Sequence, residues 1–182
     1  MLGVQSISKE YKGKKVLNSV NISVNANETV GLIGPNGSGK TTLLNIICGF
    51  VKPNAGRIQV DSKRLSMSIS RKGFFDDMTV QKNLEMYARL SGLPETNAAN
   101  VLKEFGIDFA SKRFAKLSAG MQQKVSLAFA FMLDADLILL DEPLTHLDVD
   151  AILTLRSLIE KRRQGGASFL IASHILSDLE QV

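Results

Sequence analysis

The run Gly34-Pro35-Asn36-Gly37-Ser38-Gly39-Lys40-Thr41 satisfies the pattern G-x-x-x-x-G-K-[ST] at every specified position. It constrains the fold because such a loop works in one setting, between the end of a buried strand and the start of a helix. Both flanks fit: Thr29 to Ile33 reads as a short buried strand and Thr41 to Ile47 as the opening of a helix. Glycines at 34, 37 and 39 allow backbone turns that aim successive N–H groups at negative oxygens, and the positive end of the helix dipole faces the same point. Lys40 is placed to reach the β and γ phosphates of a nucleoside triphosphate. The Thr41 hydroxyl is placed to ligate Mg²⁺, a cation that keeps several waters and takes few protein oxygens. A glycine-rich turn that merely contains Lys-Thr is the competing reading, and it leaves the two flanks unexplained.

Length and composition set the remaining bounds. A chain of 182 residues, 45% of them hydrophobic, suits one globular domain. The net charge of +4 is modest and its basic residues are dispersed over 9–15, 63–72 and 161–163, which does not call for nucleic acid. The one cysteine, Cys48, falls in the apolar run Leu43 to Phe50 and reads as a buried small residue in a reducing compartment. No apolar run reaches the length of a membrane span and the N-terminus has no signal-peptide core, so a soluble or peripheral protein is expected.

Along the chain, Val20, Ile22 and Val24 alternate with polar residues as a strand with one buried face, and Asn25 to Glu28 turns into the strand before the glycine loop. Pro53-Asn54-Ala55-Gly56 is a turn, followed by a strand over Arg57 to Val60. A β-rich N-terminal layer is expected from these. Thr79 caps a helix running to about Leu90 and ended by Gly92; Ala98 to Phe105 is a second helix, closed by Gly106. Ala119 to Leu133 is a third, with Val125, Phe129 and Met132 on its core face.

Leu137-Ile138-Leu139-Leu140 is short and wholly apolar, as expected of a parallel strand buried on both faces. Asp141-Glu142 ends it. Paired carboxylates at the C-terminal end of such a strand need partners, and ligands of open parallel sheets gather at that edge. Asp141 is expected to hold Mg²⁺ through its water shell, and Glu142 to polarise an attacking water.

Between the two motifs lies Leu117-Ser118-Ala119-Gly120-Met121-Gln122-Gln123, where the chain resembles the ATP-binding-cassette family and its signature Leu-Ser-Gly-Gly-Gln. Ala119 stands for the first glycine and Met121 for the glutamine. Ser118 opens a helix as its N-cap, so its hydroxyl, nearby N–H groups and the dipole make an anion site. The resemblance, which covers nearly the whole chain, implies that Ser118 and Gly120 grip the γ phosphate held by a second cassette. It further implies that Tyr11 is an adenine-stacking aromatic with Val16 as its apolar neighbour, that Asp148 lies in the loop meeting the opposite cassette, and that His174 contacts the γ phosphate. Taken alone, Tyr11 reads as a sheet-edge residue and His174 as a structural or surface histidine.

Two departures stand out. The family's glutamine between the core and its helical part falls on Ser70, whose shorter side chain reaches metal or water only through an intervening water. The sequence ends at Val182, soon after His174, where family members usually continue with further strands and a helix, which suggests a short or truncated member.

The expectation is therefore an α/β P-loop domain over residues 1–182. A mainly parallel core sheet with an N-terminal antiparallel layer would occupy about 1–74 and 131–182, and a helical subdomain about 75–130. The resemblance implies an ATPase subunit of a membrane transporter with Asn36, Gly37, Ser38, Gly39, Lys40, Thr41 and Thr42 on the nucleotide, Thr41 and Asp141 on the metal, and Lys40, Glu142 and His174 in catalysis. ATP and Mg²⁺ are the implied cofactors. The implied partners are a second cassette and a separate permease, with no nucleic acid, at the cytoplasmic face of a bacterial membrane. Asp77 to Leu84 resembles single-cassette exporters of the drug and peptide resistance type. A regulatory module with little turnover and a soluble cassette ATPase are the alternatives, the latter weakened by the absence of sustained heptads or a second cassette.

Overall fold

The computed structural model describes residues 1–62, 64–68 and 73–177. Ser70 lies outside them. The elements in chain order are β1 (Leu2–Tyr11), β2 (Lys14–Val24), β3 (Thr29–Ile33), α1 (Lys40–Ile47), β4 (Ala55–Val60), β5 (Leu65–Met67), α2 (Val80–Leu90), α3 (Thr96–Glu104), a 3-10 turn (Phe114–Lys116), α4 (Ala119–Met132), β6 (Leu137–Asp141), α5 (Val149–Gln164) and β7 (Ser168–Ser173).

Alternating apolar residues make the N-terminal layer. β1 pairs antiparallel with β2 on one side and β4 on the other, so Leu2, Val4, Ile7, Leu17 and Val24 share one buried cluster. The core sheet is parallel throughout its described strands, in the order β3-β7-β6-β5. Its two central strands are apolar on both faces, as their composition requires. Leu137, Leu139, Leu170 and Ala172 face α1 and the antiparallel sheet, while Ile138, Leu140, Phe169 and Ile171 face the cluster built with α4 and α5. Strand side chains alternate, so one sheet joins two cores.

Helix boundaries follow their caps. Thr79 accepts from Lys82 N at 3.2 Å and starts α2; Ser118 accepts from Met121 N at 3.3 Å and starts α4. Asp148 accepts from Ala151 N at 2.7 Å and starts α5. Each satisfies a first-turn N–H that has no partner within the helix.

Three expectations change. The strand before the glycine loop is not buried: Thr29, Gly31 and Ile33 are exposed, with Ile33 at 51%, while Val30 and Leu32 pack inward. Among the described strands, β3 pairs with β7 alone, and the layer above covers one of its faces. Helix α4 has no single core face, because every residue from Val125 to Met132 is buried between α2, α3, β5 and β6. The strand expected from Arg57 begins at Ala55, because Ala55 already pairs with Ser8 of β1. Cys48 is half-buried at the end of α1, where burial pushes its thiol up to about 11.

Candidate nucleotide and catalytic site

Parallel pairing puts the C-terminal ends of β3, β7 and β6 at one edge, in that order. The chain leaves β3 into the glycine loop, β6 into Asp141-Glu142 and β7 into His174, so three segments far apart in sequence meet there. Two backbone bonds extend the ladder past the strands: Gly34 N donates to Ser173 O at 3.2 Å and Glu142 N to Ala172 O at 2.8 Å.

Gly37 and Gly39 stand at φ 80° and 99°, where a side chain is strained, and Gly39 leads directly into α1. Gly34 serves differently. Its φ is not left-handed; a Cβ there would lie 2.7 Å from Ser38 Oγ, so its role is to leave room. The loop and its surroundings line a pocket of about 190 Å³ formed by Val16, Asn36, Gly37, Gly39, Lys40, Thr41, Thr42 and Glu142.

Lys40 is buried, and its ammonium donates to Gly34 O at 2.5 Å and Pro35 O at 3.3 Å. It also lies 3.1 Å from Glu142 Oε1. The other Glu142 oxygen, Oε2, is 2.7 Å from His174 Nδ1 and accepts from His174 N at 3.3 Å. Partial burial pushes the Glu142 carboxyl up, but the hydrogen bonds from His174 and Lys40 and the lysine charge outweigh it and leave the group below the usual range. An ionised Glu142 only accepts, so His174 Nδ1 carries its hydrogen and donates it to Oε2, which fixes the ring's orientation.

Asp141 moves the other way. Burial raises its carboxyl above the ordinary value and the neighbouring Glu142 charge adds to that, against the Thr41 hydrogen bond and Lys40. Thr41 Oγ1 donates to Asp141 Oδ2 at 2.6 Å, and Asp141 Oδ1 is buried with no hydrogen-bond partner among the described residues. A threonine hydroxyl beside an orphaned carboxylate oxygen fits the small oxygen set that Mg²⁺ takes from protein. Among the described residues no three His, Cys, Asp or Glu side chains converge as a self-sufficient metal cage. On the far side of Thr41 a second cavity, of about 660 Å³, runs between Phe50 of the core and Tyr87 of the helical region.

The structure thus brings together Lys40, Thr41, Asp141, Glu142 and His174, with Val16 on the pocket wall. It does not bring in Tyr11, which is 45% exposed at the end of β1 with Lys9 Nζ 5.0 Å over its ring. Ser118, Gly120 and Asp148 are also outside the pocket lining of their own chain. The Asp148 carboxylate is held by Ala151 N and by Lys124 at 3.3 Å. Sequence reasoning missed Ser68, whose hydroxyl accepts from Asp141 N at 3.1 Å, and Gln123, whose carboxamide reaches the carbonyls of Glu142 and Pro143. Neither has a local signal, since each partner lies far along the chain.

Residues 17–145 match the family described as ABC transporter. The chain belongs to that family. It is similar along its whole length to the lantibiotic transport ATP-binding protein SrtF of Streptococcus pyogenes, 30% identical over 191 residues and covering 83% of that protein. A solved ATP-binding subunit of an ABC transporter superposes with a TM-score of 0.88 at 30% identity, over all of this chain and 82% of that one. A dimeric ATP-binding cassette bound to ADP and Pi shares the fold, with a TM-score of 0.91 at 24% identity over all of this chain and 91% of that one. The chain is therefore an ATP-binding subunit of an ABC transporter and an ATPase of that family.

Proposed function

We propose that this subunit hydrolyses MgATP within a pair of cassettes and powers export through a separate membrane permease. The observation that carries the reading is the junction of Lys40, Glu142 and His174, from three different segments, at the mouth of the phosphate loop. Lys40 and the amides of Asn36 to Thr42 bind the β and γ phosphates, which compete with Glu142 for the ammonium. Glu142, freed from Lys40, accepts hydrogen bonds from the attacking water, and His174 orients the carboxylate while facing the γ phosphate. Thr41 and Asp141 hold Mg²⁺, which when bound neutralises phosphate charge. Val16 supplies an apolar wall and Tyr11 an aromatic surface for the base.

Ser118, Gly120 and Asp148 lie outside their own phosphate pocket, which supports a role across a dimer toward the second cassette's ATP. The Ser118 hydroxyl accepts from Met121 N and keeps its proton to donate. Among the described residues no helix is long and apolar enough to cross a membrane, so the permease is a separate protein in this reading and the cassette works at the cytoplasmic face of a bacterial membrane. Export is favoured by the likeness to a lantibiotic transport protein and by the segment Asp77 to Leu84. Phosphate release at saturating MgATP tests the catalytic assignment: turnover by the wild type and its loss in Glu142→Gln is the expected pair, and equal rates in both would remove Glu142 from the chemistry.

A further inference from the structure

Gly120, Gln123 and Lys124 occupy i, i+3 and i+4 of α4 and therefore share a helix face. That face meets the segment from Glu142 to Asp148 at three points. A Cβ at Gly120 would lie 2.5 Å from His146 O; Gln123 Nε2 donates to Glu142 O at 3.2 Å and Pro143 O at 3.1 Å; Lys124 Nζ lies 3.3 Å from Asp148 Oδ2.

The Gln123 contact falls on the residue whose direction matters most. Glu142 stands at φ 48°, a left-handed backbone that costs an L residue about 1–2 kcal/mol and persists only when neighbours hold it. Its N–H is committed to Ala172 O at 2.8 Å, and its C=O accepts both from Gln123 Nε2 and from Thr145 N, each at 3.2 Å, so the peptide planes on both sides are pinned, one by β7 and the other by α4 together with the turn to Thr145. Pinning both planes fixes the Cα–Cβ direction, and the carboxylate then reaches Lys40 and His174. Both partners of the Gln123 carboxamide are carbonyl acceptors, so its NH₂ end must face them. Gln123 does not line the pocket at the glycine loop; it lines the neighbouring cavity of about 660 Å³, which Thr41 and Asp141 also border.

We infer that Gln123 is a positioning residue for the Glu142 carboxylate, holding the left-handed turn that aims it into the phosphate pocket. This rests on the reading of Glu142 as the water-polarising group. The test compares kcat, KM for MgATP, the Kd for a fluorescent ATP analogue and Tm in wild type, Gln123→Met, Gln123→Glu, Gln123→Lys, Glu142→Gln and the double variant Gln123→Met/Glu142→Gln. Methionine keeps length without a donor, ionised glutamate offers only acceptors, and lysine restores a donor.

The expected result is a fall in kcat of about tenfold for Met and Glu, the equivalent of losing about 1.4 kcal/mol from transition-state stabilisation. KM and Kd should stay within about twofold, lysine should recover much of the rate, and Met should add nothing in the Glu142→Gln background. The split between kcat and KM, the lysine rescue and the non-additivity are effects that a purely structural glutamine would not produce. Wild-type kcat in both non-donor variants beside a crippled Glu142→Gln would overturn the proposal alone, as would a rate loss that is fully additive with Glu142→Gln. Wild-type turnover in Glu142→Gln would instead overturn the role of the carboxylate, and the proposal with it.

Discussion

Thr41 Oγ1 donates to Asp141 Oδ2 across 2.6 Å, fastening the first turn of α1 to the C-terminal end of β6 and leaving Asp141 Oδ1 buried without a hydrogen-bond partner among the described residues. If these oxygens hold the metal, Asp141→Asn should raise the Mg²⁺ concentration for half-maximal ATP hydrolysis by about tenfold or more, since a neutral amide replaces the charged oxygen. Thr41→Val should do the same and also cost about 1 kcal/mol of stability through the lost hydrogen bond. Mg²⁺ titrations of initial rate, with thermal melts alongside, check both. An unchanged Mg²⁺ requirement in Asp141→Asn would remove it from the metal site.

Lys40→Ala should abolish useful turnover. The side chain is buried and points its one charge between two loop carbonyls and Glu142, and in the role proposed for it on the phosphates its loss should cost about 10² to 10³ in rate. Circular dichroism should remain that of a folded protein, because both loop carbonyls can turn to water. Intact ATP binding and hydrolysis in folded Lys40→Ala would sink the phosphate-loop assignment.

Glu142→Gln should accumulate an ATP-bound dimer. The substitution keeps the shape and, in the role proposed for Glu142, removes the carboxylate that polarises the water and takes a negative charge away from the phosphates. Sizing chromatography with MgATP should show a species of twice the monomer mass that the wild type does not build up. Persistent monomers would argue against dimerisation of the isolated subunit.

The helical region is tied to the core by Glu104 at the end of α3, whose two oxygens accept from Lys161 at 2.7 Å and Arg162 at 2.9 Å on α5. Burial pushes the Glu104 carboxyl up, but the Lys161 hydrogen bond, both positive charges and the Arg162 hydrogen bond outweigh it, so the group sits below its ordinary value. A carboxyl lowered by folding stabilises above the unfolded-state pKa, about 4.3 for glutamate, and loses that contribution as pH falls through the folded value. Glu104→Gln should therefore lower Tm at pH 7 by about 2–4 °C, for about 1 kcal/mol after allowance for solvent screening. The gap should close as melts are taken below about pH 4. A gap independent of pH would mean that packing, not charge, is what Glu104 supplies.

What could be read in the residues alone was whatever depends on near neighbours. The glycine-rich turn from β3 into α1 is specified within eight positions, the caps at Thr79 and Ser118 sit three residues from the N–H groups they satisfy, and Leu137 to Leu140 is apolar on both strand faces whatever packs on it. The exposure of Ile33 could not be read, because it depends on β3 having one partner and one covered face. The burial of α4 all round from Val125 likewise reflects four surrounding elements, not its own periodicity. Gln123 was legible as part of the signature segment but not as the donor to Glu142 O, 19 residues further on, since nothing local marks that pairing.

Two glycines, 34 and 120, need space rather than unusual backbone angles, and they should respond differently to a methyl group. A Cβ on Gly34 would meet Ser38 Oγ at 2.7 Å, and a hydroxyl at the end of a short side chain can rotate aside, so Gly34→Ala should shift stability by less than about 0.5 kcal/mol. A Cβ on Gly120 would meet His146 O at 2.5 Å, a backbone atom in the segment that carries Glu142 at one end and Asp148 at the other. Either α4 or that segment must give way, at a cost of about 1–3 kcal/mol. Gly120→Ala should thus lower Tm by several degrees, and because the yielding segment begins at Glu142, kcat should fall in the same variant. Thermal melts and steady-state phosphate release on the two alanine variants make the comparison. A Gly120→Ala protein as stable and as active as Gly34→Ala would mean that α4 and the Glu142 segment are not in the tight register that the Gly120 to His146 approach requires.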